Sequence, residues 1–438
     1  MELARRRLEN LGVGVPDILV PNNTVDLEKW AVVACDQYTS EKEYWQAVDL
    51  FVGDAPSTLR LIFPEAYLED PDPAKRITAI NAKMAEYLQR NLFKTYEDSF
   101  FLVHRETGSG PGRWGLIVAL DLEHYDYAKD SRTFIRATEG TILSRIPPRK
   151  LIRKDAPLEL PHILVLISDP EKTVIEPLSN AKNSLEFVYE TALMKNGGRL
   201  TAYRVHGEAL LSQVAQAFEK LHAQLDASNP LLFAMGDGNH SLATAKSCWE
   251  DIKQNLSPAA RTTHPARFAL VELENIFDPG LEFEPIHRVL FNLKRETFLS
   301  YLSKACEAFT VTPCQTLSDL MARIEKPSGT QDFGFVDSQG LAVIGMAGAN
   351  ATIAAGTLQS VIDSILSNEK VVQVDYIHGE NITDSIGSKP GNIGLFLPAL
   401  DKNEFFDTIV KDGALPRKTF SMGEAHEKRF YMEARRIK

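Results

Sequence analysis

Near the middle of the 438-residue chain, the apolar run PLLFAM leads into Gly236, Asp237, Gly238, Asn239, His240 and Ser241, followed by the helix-forming LATAKSCW. A strand that ends in such a loop and continues as a helix can aim unpaired backbone N–H groups at an anion. The helix dipole adds a favourable field, and glycines permit close approach. Gly236, Gly238, Asn239 and Ser241 are therefore candidates for holding a phosphate. Asp237 could hold magnesium or accept a proton beside His240. The spacing is neither the GxxxxGK[ST] of a Walker loop nor GxGxxG. The alternative is a tight turn in which Asp237 or Asn239 merely caps the helix.

Four other places could supply charge or a base. From Arg132 to Lys154 the bases Arg132, Arg136, Arg145, Arg149, Lys150, Arg153 and Lys154 face only Glu139, a composition suited to an anion site because guanidinium forks match phosphate and carboxylate. Most of these bases fit a solvated loop around Pro147 and Pro148. Arg136, Glu139 and Thr141, clustered in RATEGT, are the ones retained as site candidates. Asp36 ends an expected strand, Trp30 to Asp36, where α/β folds place reactive groups; the plain alternative is the turn that starts the next helix. Arg288, beside His287 in EPIHRVL, and the pair Arg417 and Lys418 in LPRKT could each grip an anion, or lie on the surface.

These residues must be positioned by an alternation of strands and helices. TSEKEYWQAVDLF carries a hydroxyl cap, early acids and helical spacing, and residues 74–92 read as an amphipathic helix. SFFLVHR and WGLIVALDL flank the turn-rich ETGSGPG as antiparallel strands. PHILVLIS, PLLFAM and residues 267–276 read as buried strands, and residues 207–223 and 241–252 as helices. Beyond residue 293 the expectation is a helix to Phe309, then alternating short strands and helices. A helix over 402–411 follows, and then a polar tail. The domains expected are a mixed α/β unit over 1–292 carrying the GDGNHS loop and a smaller α+β unit over 293–438, whose LPRKT segment folds back to the site.

Composition excludes several functions. The chain holds 48 basic and 59 acidic side chains, a formal charge of -11, which repels a polyanion and argues against nucleic-acid binding. Cys35, Cys248, Cys306 and Cys314 are irregularly spaced and contain no CxxC pair, so neither a disulfide framework nor a thiolate zinc site is expected, and a reducing cytoplasm fits. The N-terminus lacks a signal-peptide apolar stretch, and the charge-free run 338–362 holds too many polar residues for a membrane span. HExxH and GxSxG are absent, which disfavours metalloprotease and serine hydrolase chemistry.

In order along the chain, ACDQYTS, YDYAKDSRTFIRATEGTILSRIPPR, LELPHILVLISDP, GDGNHSLATAK, EPIHRVL and LPRKTF resemble the landmarks of domain-of-unknown-function family 1015. That family's DGHHR-like loop is similar to the loop of the ParB and sulfiredoxin superfamily, which includes nucleotide-dependent kinases of free serine. Asp237, Gly238 and His240 match the signature; Asn239 replaces its first His, and Ser241 stands where an Arg is expected. The resemblance implies a phosphoryl-transfer enzyme using ATP or ADP and magnesium on a small hydroxylated metabolite such as serine. In that reading Gly236, Gly238 and the helix start bind phosphates and Asp237 positions magnesium. Asp36 or Glu139 accepts the hydroxyl proton, and Arg136, Arg288, Arg417 and Lys418 neutralise charge. A phosphoserine phosphatase using the same cradle, and a nucleotide- or metabolite-sensing module without turnover, are the alternatives. The resemblance leaves the oligomeric state open.

Overall fold

The computed structural model describes every residue except Met1, Ser109 and Pro327. Ser109 of the ETGSGPG turn thus lies outside the described residues, as does Pro327 of the EKPSGTQ stretch, whose composition reads as a loop. The mixed α/β expectation holds. The chain divides into two compact units, Met1–Leu281 with Gly423–Lys438, and Glu282–Met422.

Among the described residues the first unit is built on a ten-stranded sheet. Its order runs Glu186–Leu193, Gly198–His206, Ser99–Glu106, Arg113–Asp121, Phe268–Asn275, Leu164–Ile167, Phe233–Asp237, Ile135–Arg136 and Tyr125–Asp126, with Val13–Gly14 pairing onto Arg113–Asp121. Period-two alternation decides what each face receives. Phe100, Leu102, Leu116 and Val118 enter one core, packed under the helices Glu208–His222 and Asn239–Lys253. Phe101, Val103, Ile117 and Leu270 enter the opposite core, beneath the helices Lys42–Val52 and Pro73–Gln89 and the tail residues Phe430–Met432. Each fully buried aromatic or branched side chain contributes about 1.5–3 kcal/mol of transfer free energy, so burial on both faces makes these central strands the rigid floor for everything attached to them.

Followed toward one end, the same alternation places charges where apolar residues should be. Arg105, Arg113, Glu272 and Glu274 share parity with Val103, Ile117 and Leu270, and all four are buried. They are met by Arg429 and Glu433 from the tail, also buried. Arg429 pairs with Glu272 at 2.8 Å and with Glu433 at 2.7 Å, Arg113 pairs with Glu274 at 2.6 Å, and Arg435 pairs with Glu159 at 2.6 Å. Arg105 and Arg113 also donate to the carbonyls of His426 and Glu427, at 3.1 and 3.2 Å. This network explains why Gly423–Lys438 packs with the first unit, whereas the sequence expectation had grouped it with 293–438. HEKRFYMEARR reads as a polar tail, yet Phe430, Tyr431, Met432 and Ala434 enter the core and its arginines find buried partners.

Three element expectations need correction. The strand expected over 30–36 shrinks to Val32–Val33, because Asp26 caps a helical turn at Leu27–Trp30, accepting from the Glu28 and Lys29 N–H groups at 3.1 and 3.4 Å. The loop expected around Pro147 and Pro148 is the helix Ile146–Arg153, with proline in its first turn where no N–H is needed. In the second unit the helix from 293 stops at Leu302, and Phe309 belongs to the strand Ala308–Cys314, whose Thr310, Val311 and Thr312 pair with Gly345, Ile344 and Val343. That unit carries a seven-stranded sheet among its described residues. Its core gathers Phe298, Phe333, Leu358 and Leu395.

Candidate functional site

The strand Phe233–Asp237 runs antiparallel to Leu164–Ile167, with Leu164 opposite Asp237 and a register shift between Leu164 and Val165. It runs parallel to Ile135–Arg136. This pairing brings the GDGNHS loop beside both the RATEGT segment and the residues that precede Leu164. Gly238 adopts φ +79°, and a Cβ there would sit 3.2 Å from the Ile163 Cα, so glycine is required both for the left-handed turn and for the close backbone approach. The Ser241 and Leu242 N–H groups return to the Gly238 carbonyl at 2.9 and 3.1 Å, and no side chain caps the helix Asn239–Lys253. Asp237 Oδ1 instead accepts the Gly238 N–H at 2.8 Å. Asn239 Oδ1 accepts the Thr138 N–H at 3.3 Å, and the buried Thr138 hydroxyl donates to the Met235 carbonyl at 2.7 Å. The helix start therefore retains its positive end.

Opposite the loop lies the ACDQ segment, held by the tail. Phe430 and Tyr431 pair with Val33 and Val32, and the Ala34 N–H donates to the Arg429 carbonyl at 2.9 Å. Two tail side chains thereby reach the loop region. Lys428 Nζ lies 3.3 Å from Asp237 Oδ2, and the Tyr431 hydroxyl lies 2.8 Å from His162 Nδ1. The other ring nitrogen, His162 Nε2, is 3.9 Å from Asp36 Oδ2. Asp36 Oδ1 accepts from Gln37 Nε2 at 3.0 Å. Beyond Asp36, Glu65 forms an ion pair with Arg149 and its N–H donates to the Cys35 carbonyl at 2.8 Å.

The electrostatics are mutual. Burial alone would raise the Asp237 pKa, but Lys428, the Gly238 N–H and His162 outweigh it and hold the carboxyl below its ordinary range. Burial lifts the Glu65 pKa, Asp36 lifts it further, and Arg149 and His162 oppose the rise. Burial, Asp36 and Glu65 also push the Cys35 thiol up, away from a reactive thiolate. The cluster can thus keep one carboxylate ionised beside a lysine, at a helix start, with a second carboxylate across an imidazole.

Of the residues singled out in the sequence, Asp36, Asp237, Gly238 and Asn239 come together here, with Gly236 in the strand and Ser241 in the first helical turn. Thr141, half-buried, and Glu139 belong to the adjoining segment. His240 Nε2 accepts the Ile142 N–H at 3.2 Å, tying that segment to the helix. Arg136 is buried, and its guanidinium donates to the Thr133 and Pro230 carbonyls at 2.9 and 2.6 Å, an arrangement that fixes the strand end. Arg288, Arg417 and Lys418 lie in the second unit. Arg288 is buried there, 5.3 Å from the Tyr376 ring, while Arg417 and Lys418 are exposed. His162, Lys428, Tyr431 and Glu65 were not singled out. A histidine just ahead of a buried strand was a usable signal for His162, but nothing local marks a lysine in a charged tail.

The site is thus an uncapped helix start behind a left-handed glycine, with an acid–lysine pair and an acid–imidazole pair beside it, on a mixed α/β scaffold. Residues 19–365 match the family described as protein of unknown function DUF1015, and the chain belongs to that family. A search of curated proteins finds no match. Among solved structures, a free serine kinase mutant in complex with ADP is similar with TM-score 0.39 and 10% identity, over 73% of this chain and 92% of that one. A conserved hypothetical protein from Pyrococcus furiosus is similar with TM-score 0.35 and 9% identity, over 72% and 93%. SbnI from Staphylococcus aureus, truncated at its C-terminus, gives TM-score 0.34 and 8% identity, over 70% and 82%. Among the described residues no helix is long and apolar enough to cross a membrane.

Proposed function

We propose that the GDGNHS loop holds nucleotide phosphates and that the protein transfers a phosphoryl group from ATP to a small hydroxylated metabolite such as serine. The observation that carries this reading is the placing of Asp237, paired with Lys428 at 3.3 Å, at the uncapped start of the Asn239–Lys253 helix, while Asp36 faces His162 at 3.9 Å. The left-handed turn at Gly238 lets a phosphate approach the positive end of the helix closely. Lys428, buried and 3.3 Å from Asp237, neutralises charge on the transferred group. That assignment replaces Arg136, whose donors already serve carbonyls.

Magnesium fits the donor chemistry, since the ion is commonly bound by one or two carboxylates together with substrate phosphates and water. Asp237, kept ionised, would hold it, and the ion would neutralise phosphate oxygens. Asp36 takes the proton as the acceptor O–H bond breaks. The freed oxygen bonds to the terminal phosphorus, and the bond from that phosphorus to ADP breaks. Phosphorus NMR of the purified protein with ATP, magnesium and L-serine tests the reading: ADP and a phosphomonoester are expected in equal amounts. Absence of ATP consumption across a panel of small hydroxy acids and amino acids refutes it, and so does release of phosphate from phosphoserine without nucleotide.

A further inference from the structure

We propose that His162 is a positioning residue for the Asp36 carboxylate, locked in one tautomer by Tyr431 from the C-terminal tail. The inference deepens the phosphoryl-transfer reading, on which Asp36's role as proton acceptor rests. The Tyr431 oxygen accepts the Cys35 N–H at 3.2 Å, and in the proposed arrangement its own hydrogen goes to His162 Nδ1, 2.8 Å away. Tyr431 is 2% exposed, which leaves little room for water to compete for that hydrogen. Burial, reinforced by Cys35 and Asp36, also keeps the phenol protonated.

With Nδ1 occupied as an acceptor, a neutral imidazole must carry its proton on Nε2, the atom facing Asp36 Oδ2 at 3.9 Å. That separation exceeds a direct hydrogen bond and is closed by a small rotation of the Asp36 carboxylate. The ring is fixed edge-to-face on Tyr431, at 81° with centroids 5.5 Å apart. Tyr431 is itself registered against Val32 by strand pairing. Backbone pairing on one side and the phenol on the other therefore set where the Nε2–H points, and that N–H orients the carboxylate that receives the proton.

The test uses the full chain labelled with 15N-histidine. Long-range proton–nitrogen correlations, with the His162 signals assigned by their loss in His162→Gln, are expected to show an unprotonated Nδ1 and a protonated Nε2. Tyr431→Phe is expected to convert this to a mixture of tautomers. A native His162 protonated on Nδ1, or a pattern unchanged in Tyr431→Phe, overturns the proposal. A kinetic arm compares His162→Gln, whose amide retains an N–H donor, with His162→Leu, using ATP and L-serine. For the leucine variant kcat is expected to fall on the order of 10²-fold while KM for ATP stays put, with glutamine restoring part of the rate. Equal kcat in all three proteins overturns the proposal. A wild-type protein without ATP turnover counts against the kinase reading alone, because the tautomer readout does not depend on it.

Discussion

Replacing Arg429 by methionine would probe the device that brings the tail to the site. Arg429 is 4% exposed, pairs with Glu272 at 2.8 Å and Glu433 at 2.7 Å, and donates to the Pro161 and Phe430 carbonyls at 3.1 and 3.2 Å. Methionine has a similar stem and fills the same space, so the loss is electrostatic. Two buried carboxylates are left without their shared cation, and removing one partner of a buried pair costs about 3–5 kcal/mol. The deficit must depend on pH. Burial already raises the Glu433 pKa, and Arg429 is the first influence opposing that rise. Without Arg429 the carboxyl stays protonated to higher pH in the folded chain, so the deficit grows as pH rises above the ordinary carboxylate range, where the folded wild type ionises and the folded variant does not.

All four tryptophans, Trp30, Trp45, Trp114 and Trp249, lie in the first unit, so tryptophan fluorescence during urea unfolding reports that unit directly. At about 1–3 kcal/mol per molar of urea, the midpoint at pH 7.5 should fall by about 1 M or more. A loss under about 1 kcal/mol at pH 7.5, or a loss independent of pH, would refute the reasoning.

Other perturbations have equally definite outcomes. Burial lifts the Glu274 pKa to about 7; Arg113 opposes the rise and Glu272 adds to it. The stability tied to its protonated form is present at low pH and lost as pH rises from the ordinary carboxylate range through about 7. Glu274→Gln should therefore gain on wild type between pH 5 and pH 8 in urea titrations, and a constant difference would contradict that. Gly238→Ala, at φ +79° with its new Cβ 3.2 Å from the Ile163 Cα, should cost about 1–2 kcal/mol and weaken ATP binding in calorimetry; a neutral effect on both would remove the case for the left-handed turn. Asp237→Ala should abolish turnover while the melting temperature moves only a few degrees, because a half-buried loop acid contributes little packing. A large thermal loss would make Asp237 a structural cap.

Much of the first unit could be read from period and punctuation. The helices at 42–52, 73–89, 208–222 and 239–253 and the strands at 99–106, 113–121 and 268–275 follow apolar spacing that acts over a few residues, although no hydroxyl caps the helix at 42–52, where a cap was expected. The GDGNHS loop and Asp36 were legible for the same reason, since a strand end followed by a helix start is a local pattern. What escaped depends on distant partners. Trp30 anchors a helical turn because its ring N–H reaches the Met432 carbonyl at 3.0 Å. The tail looked solvated because its arginines carry no local sign that Glu272 and Glu159 are their buried partners. Arg136 looked like an anion clamp by composition, while its donors are engaged by carbonyls at positions 133 and 230. Lys428 lies far along the chain from the Asp237 it accompanies, and no spacing rule joins them.

The central claim is that the loop, with Lys428 beside Asp237, binds nucleotide phosphate. Calorimetric titration of wild type and Lys428→Met with ATP and magnesium tests it most directly. Losing a charge-assisted contact removes about 1.5–3 kcal/mol, so wild type should bind and the variant should bind on the order of 10-fold to 100-fold more weakly. A wild type that takes up no nucleotide, or a variant that binds as tightly as wild type, would contradict the account.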